Sequence, residues 1–419
     1  MPSAVRPEAV LGYKCIRCGR HRDLRESVYL CACGANLEII YDYALLKKRV
    51  SRRTFDKNSD PTIWRYADFL PATTPGHRPL PLVGSTPLYR AERLGRALGM
   101  TNLYLKDDGR NPSASFKDRA GAVAVTRALD LGSKVVAGAS TGNAASSLAC
   151  LTAATNLKTI VFVPEKAPKA KIAQLLIFGA TVIAVRGSYD DAFDLCRKAC
   201  DEYGWYNRNT GYNPFTREGK KTAAYEIVEQ LGWKVPDAVF IPTGDGNILS
   251  GIWKGFCDFY AAGLISRRPR MVAVQADRSD AIKRAFESKK PIQPVSGKTV
   301  ADSISVSLPR DGEAAVRALR ESGGFAVSVS DREIIASVGE VARSEGVFAE
   351  PAAAAAAAGL RKARRGRKVA TKEKVVVLLT GNGLKDVDAA AKSVARPYST
   401  SSDFADLKKL IAKIGRGEK

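Results

Sequence analysis

Short runs of β-branched and apolar residues alternate along most of this 419-residue chain with longer stretches whose apolar positions recur at helical spacing. Residues 134–137, 159–163, 181–185, 238–241, 271–274 and 375–379 are short, mostly uncharged and rich in valine, which predicts strands buried on both faces. Residues 117–131, 169–178, 189–202, 222–231, 248–262 and 331–345 carry the amphipathic spacing of helices. Strand then helix, repeated from Leu103 onward, predicts an α/β fold of parallel sheets covered by helices on both faces. Ligands of such sheets bind beyond the strand C-termini, so the chemistry is expected in the loops that lead into helices.

The beginning of the chain follows a different pattern. Residues 11–43 read as short strands around two tight turns, Cys15-Ile-Arg-Cys18-Gly19 and Cys31-Ala-Cys33-Gly34, which predicts a small ribbon. Residues 47–81 are rich in charge and contain Pro61, Pro71, Pro75, Pro79 and Pro81; proline at this density excludes long regular elements and predicts an extended arm.

Composition narrows the class. With 45% hydrophobic residues the chain can bury a large core, and its length suggests roughly two or three domains. Lys plus Arg number 66 against 43 Asp plus Glu, a formal charge of +23 that favours an anionic partner: nucleic acid or a phosphate ester. Only His21 and His77 are present, which excludes histidine-rich metal sites and most Ser/His hydrolases. Cys15, Cys18, Cys31 and Cys33 crowd the start, while Cys150, Cys196, Cys200 and Cys257 are scattered, which is not a disulfide framework. No charged-then-apolar leader occupies residues 1–10, and no apolar run reaches the ~18 residues of a transmembrane helix. The expectation is a cytoplasmic protein with no membrane span.

Four loops stand out. In Lys106-Asp-Asp-Gly-Arg-Asn-Pro-Ser-Ala-Ser-Phe-Lys117, turn-forming residues lead to a lysine at a helix start, with Ser113 or Ser115 as a candidate cap. The positive end of the helix dipole favours the neutral amine there and suits carbonyl chemistry. Ser140-Thr141-Gly142-Asn143-Ala144 offers backbone N–H groups, hydroxyls and an amide to a carboxylate. Gly244-Asp245-Gly246-Asn247-Ile248 permits the close backbone approach that a phosphate needs, and it matches neither a Walker loop nor a dinucleotide fingerprint. Asp245 would repel a phosphate dianion, so its side chain is expected to turn away. Thr380-Gly381-Asn382-Gly383-Leu384 is a hydroxyl-bearing turn after another strand. A lysine, a carboxylate cradle, a phosphate cradle and a hydroxyl together describe a pocket for pyridoxal phosphate.

Six segments carry a family resemblance over roughly residues 13–390: Gly84-Ser-Thr-Pro-Leu88, Asn111-Pro-Ser-Ala-Ser-Phe-Lys-Asp-Arg119, Ser140-Thr-Gly-Asn143, Glu218-Gly-Lys-Lys-Thr-Ala-Ala224, Glu345-Gly-Val-Phe-Ala-Glu-Pro351 and Thr380-Gly-Asn-Gly-Leu-Lys-Asp386. In this order they resemble the threonine synthases, of the fold type II pyridoxal-phosphate enzymes. The resemblance implies two parallel-sheet, three-layer domains: a large one from 80–118 and 209–395 and a small one from 119–208. A ribbon at 1–45 and an arm at 46–79 precede them, and a tail at 396–419 follows. It implies that Lys117 carries the cofactor and acts as the mobile base, that Asn143 meets the ring oxygen, that Gly244, Asp245, Gly246, Asn247 and Ile248 hold the phosphate, and that Thr380 faces the ring nitrogen. Ser140, Thr141 and Ala144 would receive the substrate carboxylate, with Ser113 and Ser115 near the reacting end. Asn209, Asn213, Arg217, Lys220 and Lys221 would clamp the leaving phosphate.

The implied reaction is a carbon–oxygen lyase reaction on a phosphate, turning O-phosphohomoserine and water into L-threonine and phosphate, in a homodimer. The alternatives are a replacement on O-phosphoserine, as in cysteate synthase-like relatives, an amino-acid lyase, or, from a different class, a nucleic-acid-binding protein using the basic surface and ribbon. The family's arginine stands one place before Arg217, where this chain has Thr216, and its histidine stands where this chain has Asn382. The spacing Cys15-x2-Cys18-x12-Cys31-x-Cys33 leaves zinc or a metal-free remnant open. Ala352–Ala358 predicts a close-packed core helix, residues 361–368 a solvated basic turn, and Leu410, Ile411 and Ile414 a tail stripe packed on the body.

Overall fold

The structure, a computed structural model, describes residues 7–24, 28–72 and 74–416. Strands β1 (Val10–Cys15), β2 (His21–Arg22) and β3 (Leu37–Tyr41) form an antiparallel ribbon in the order β2-β1-β3. The larger sheet contains β4 (Leu88–Arg90), β5 (Asn102–Asp107), β10 (Ala238–Pro242), β11 (Arg270–Ala276), β12 (Phe325–Val329) and β13 (Lys374–Leu379). Its order is β12-β11-β10-β13-β5-β4, parallel except for β4. The smaller sheet, order β8-β7-β6-β9, is all parallel and contains β6 (Val135–Ala139), β7 (Lys158–Pro164), β8 (Thr181–Val185) and β9 (Tyr206–Asn207). Residues of β10, β11 and β13 are almost wholly buried, as strands covered on both faces must be.

Three expectations need correction. The arm is not simply extended: residues 63–69 coil into a 3-10 helix that buries Ile63, Trp64, Tyr66 and Phe69, because aromatic residues between the prolines supply apolar surface. The basic run is not a turn over most of its length. Helix Pro351–Arg365 continues through it, with Arg361 paired to Glu340 and Arg364 donating to the Leu98 and Val369 carbonyls, so these cations bind the helix end to its neighbours. The tail forms helix Phe404–Gly415 without burying any residue, and Ile411 is 58% exposed. Ala352–Ala358 are all buried, in a helix that lies across the larger sheet.

Among the described residues no helix is long and apolar enough to cross a membrane. The loops after β5, β6, β10 and β13 gather over the C-terminal edges of the two sheets, where a cavity of about 540 Å³ opens between them. The pairs Lys171–Asp302 (2.5 Å) and Arg310–Asp190 (2.6 Å) cross that cleft.

Candidate active site

Lys117 is the first residue of helix Lys117–Asp130, whose start is held by its neighbours and has no side-chain cap. The Phe116 amide donates to the Thr380 carbonyl (2.8 Å) and the Asn382 amide to the Ala114 carbonyl (3.1 Å), which joins the loops after β5 and β13. Neither serine caps the helix. Ser113 donates instead from its amide (2.6 Å) and its hydroxyl (2.5 Å) to Asp118.

Behind the loop lies a buried ion cluster. Arg119 pairs with Asp108 and Glu226, both at 2.6 Å, and Lys106 with Glu226 at 2.6 Å. Thr86 Oγ1 donates to Asp108 (2.6 Å) and the Ser85 amide to Glu226 (3.0 Å). The Gly84–Leu88 and Asn111–Arg119 motifs therefore converge on one ionic scaffold that fixes the helix carrying Lys117. Gly219, from the Glu218–Ala224 motif, lets helix Phe215–Lys220 cross that helix, since a Cβ there would lie 1.8 Å from the Arg119 carbonyl oxygen.

The Lys117 side chain makes no hydrogen bond or ion pair with any described residue, and it faces the cavity. Burial pulls its amine below the ordinary lysine value; Asp245 and Glu350 oppose that pull, and Arg208 adds to it. The effect is a readily deprotonated amine, as carbonyl attack requires. Around it one pocket is walled by Asn143, Gly244, Asp245, Gly246, Asn247, Ile248 and Thr380.

Helix Asn247–Ala261 begins in this pocket with Gly246 at φ 87° and no side-chain cap, so its first N–H groups are open to an anion. Glycine is required at 246, because a Cβ would meet Ala315 and the Asp311 carbonyl at under 3 Å. The Asp245 carboxylate accepts from the Arg310 amide (3.2 Å) while still lining the pocket, and burial raises it above the usual carboxylate range. Lys220, pushed well down by burial and by Lys117 and Arg208, donates to Asn247 Oδ1.

Ser140, Thr141, Ala144 and Asn209 line the larger cavity, and Asn209 Oδ1 accepts from the Ala139 amide (2.7 Å). The structure does not bring Ser113, Ser115, Asn213, Arg217 or Lys221 to its wall. Asn213 bonds the Asn207 carbonyl (2.7 Å) and the Phe215 amide (2.8 Å). Arg217 pairs with Asp311, and Lys221 pairs with Glu218 (2.6 Å) and Asp258 (2.7 Å). These polar groups are buried as scaffold, a use that spacing alone does not distinguish from a clamp.

Two site residues escaped the sequence reading. Glu350 lies inside the Glu345–Pro351 motif, which by itself gives it no role; its carboxylate accepts from Asn143 Nδ2 at 2.9 and 3.0 Å, and burial raises its pKa. Arg208 is 2% exposed, lines the large cavity and leaves its Nε and Nη2 without a partner, while Nη1 donates to Thr210 (3.3 Å). Burial lowers its pKa to about 10. The polar run 208–210 directly after β9 is the available signal.

The partnerless Lys117 amine, the two unmatched nitrogens of the Arg208 guanidinium, the uncapped helix start and the glycine-lined approach form a donor set that fits an aldehyde-bearing phosphate cofactor. A profile of the family "Pyridoxal-phosphate dependent enzyme" matches residues 80–381. Threonine synthase from Methanocaldococcus jannaschii is 41% identical over 96% of this chain and 99% of its own. Threonine synthase from Methanosarcina acetivorans is 38% identical over 95% and 98%. Diaminopropionate ammonia lyase from Escherichia coli superposes with a TM-score of 0.66 at 18% identity, covering 82% of this chain and 92% of that one, a likeness of fold. On a profile match over most of its length and relatives aligned almost end to end, the chain belongs to the pyridoxal-phosphate-dependent enzymes, in the group that includes the threonine synthases.

Proposed function

We propose that the protein is a threonine synthase that converts O-phosphohomoserine and water into L-threonine and phosphate. The observation that carries this reading is the partnerless Lys117 amine set between an uncapped helix start and a buried arginine that makes no ion pair. Pyridoxal phosphate, when bound, supplies an electron-withdrawing ring that acidifies protons near the substrate's amino group. Lys117 would hold it covalently, Gly244–Ile248 would take its phosphate, Asn143 would offer its amide to the ring oxygen, and Thr380 would meet the ring nitrogen with a neutral hydroxyl. Ser140, Thr141 and Ala144 receive the substrate carboxylate. Lys117 Nζ, neutral when free, would accept the proton from Cα, return it to the bound substrate–cofactor framework and, neutral again, accept one from Cβ, which its position on a rigid helix start keeps within reach.

Arg208 takes the leaving phosphate, with Asn209 beside it. This assigns to residue 208 the cationic contact that Thr216 cannot make and Arg217, spent on Asp311, does not offer. Arg208→Met is expected to raise KM for O-phosphohomoserine about 10- to 100-fold, the loss of a charge-assisted hydrogen bond, and to weaken product inhibition by phosphate in parallel. Arg208→Lys should recover part of both. Unchanged KM and phosphate inhibition in Arg208→Met would remove the residue from the substrate site.

A cytoplasmic homodimer completes the reading. All eight cysteines are free thiols, as a reducing compartment maintains, and exposed Leu80, Leu82 and Ile177 supply apolar surface for a partner subunit.

A further inference from the structure

The sulfurs of Cys15, Cys18, Cys31 and Cys33 all lie within 4.8 Å of one another. Cys15 Sγ is 3.5 Å from Cys33 Sγ, and Cys18 Sγ is 3.6 Å from Cys31 Sγ. A tetrahedral zinc ion with Zn–S bonds of about 2.3 Å holds its sulfurs about 3.8 Å apart. Disulfides would need about 2.05 Å, and all four residues are free thiols.

The backbone is shaped for the same purpose. The Arg17 and Cys18 amides point at Cys15 Sγ (3.5 and 3.4 Å), the N–H to sulfur contacts that steady a ligating thiolate. Each cysteine pair ends on a glycine in the left-handed region, Gly19 at φ 72° and Gly34 at φ 79°, and the Gly34 amide closes its turn on the Cys31 carbonyl (2.8 Å). The narrow Cys31-x-Cys33 spacing therefore does not prevent convergence.

What the ribbon touches gives the cluster a consequence. Asn36, three residues past Cys33, donates to Asp311 Oδ1 (2.8 Å) and to the Arg310 carbonyl (2.9 Å). Asp311 Oδ2 accepts from Asn247 Nδ2 (2.8 Å) and Ser250 Oγ (2.6 Å), both on the helix whose start forms the phosphate cradle. Arg217, paired with Asp311, also donates to the Leu37 carbonyl (3.3 Å). Arg17 ties the turn to the body through Glu313 (3.1 Å) while holding the Cys33 carbonyl (3.0 Å).

We propose that Cys15, Cys18, Cys31 and Cys33 bind one structural Zn²⁺ as a closed tetrathiolate, and that the metal holds the ribbon turn whose Asn36 braces Asp311 and, through it, Asn247. The set has no open position and only sulfur donors, so the ion's part is to fix structure. The bracing half rests on the reading of Gly244–Ile248 as the phosphate cradle; the metal half does not.

The test uses the full chain purified under reducing conditions. Elemental analysis should find one zinc per chain, lost in Cys18→Ser and retained in Cys257→Ser, and Co²⁺ exchanged into the site should show the intense visible bands of a tetrahedral thiolate complex. Because Cys18→Ser can fail to fold, Asn36→Ala provides the second variant: it should keep its zinc and bind pyridoxal phosphate about tenfold more weakly by titration. Iron in place of zinc, no metal with four freely reactive thiols, or disulfides mapped between these cysteines would overturn the metal site. Full zinc with unchanged cofactor affinity in Asn36→Ala would overturn the bracing. Zinc in a wild-type protein that binds no pyridoxal phosphate would support the metal site and count against the proposed function instead.

Discussion

Lys117→Ala is expected to abolish the visible absorbance that pyridoxal phosphate gives the wild-type protein and to lower kcat by at least about 10³-fold, since one residue both anchors the cofactor and moves the protons. The protein should still fold, because Lys117 makes no hydrogen bond or ion pair among the described residues that its loss would leave unmatched. Indeed, removing an amine that burial holds below its ordinary pKa relieves a strain on the folded state, so the thermal midpoint of the cofactor-free variant should equal or exceed that of the cofactor-free wild type. An absorbance spectrum and a midpoint measured on the same preparation check both halves. A coloured, active Lys117→Ala protein would remove the lysine from its role, and a colourless one that is also unfolded would show that Lys117 serves the fold.

The opposite pattern is expected at Arg119 and Glu226, which touch no part of the cavity wall and hold its scaffold together. Either Arg119→Met or Glu226→Gln leaves a buried charge without its partner, and each should lower the unfolding free energy by about 3–5 kcal/mol, read as a reduced urea midpoint. The sign of the pH dependence follows from Glu226. Burial pushes its carboxyl up, but Arg119 and then Lys106 outweigh burial and hold it well below the usual carboxylate range. A depressed folded pKa contributes stability that is fully present above the unfolded value of about 4.3 and is lost as pH falls below it. Wild-type stability should therefore decline on acidification below that pH, and Glu226→Gln should show a shallower decline over the same window. Equal midpoints for wild type and both variants would mean that the cluster contributes nothing to the fold.

The parts of this molecule that could be read along the chain are those in which local pattern and burial agree. Strands such as Ala238–Pro242 and Lys374–Leu379 are apolar at every position but Lys374 because helices cover both faces, and the pattern states this directly. Phe325–Val329 was missed: Ser328 interrupts its apolar run, and its place at the sheet edge lets that position stay half-buried. Helices Ala281–Ser288 and Gly312–Glu321 also went unassigned, being short and rich in charge on their outer faces.

Within the site, glycine, serine and asparagine in strand-to-helix loops marked the cradles, because a backbone that approaches an anion has few alternatives to those residues. Cations were harder to place. Arg208, Arg217 and Lys221 are all buried basic residues within 14 positions of sequence, yet only Arg208 reaches the cavity. What separates them is the carboxylates brought from elsewhere: Asp311 to Arg217, and Asp258, with nearby Glu218, to Lys221. No local pattern announces partners so distant in sequence. For the same reason the net charge of +23 indicated an anion without locating its site.

A threonine synthase must make threonine from a phosphorylated four-carbon amino acid, and this cavity is where it would do so. The most direct test is the product analysis of the wild-type protein, loaded with pyridoxal phosphate and given O-phosphohomoserine in one reaction and O-phosphoserine with a sulfur nucleophile in another. Equal amounts of L-threonine and phosphate are expected in the first and no turnover in the second; turnover confined to the second, or in neither, would mean that the protein is not a threonine synthase.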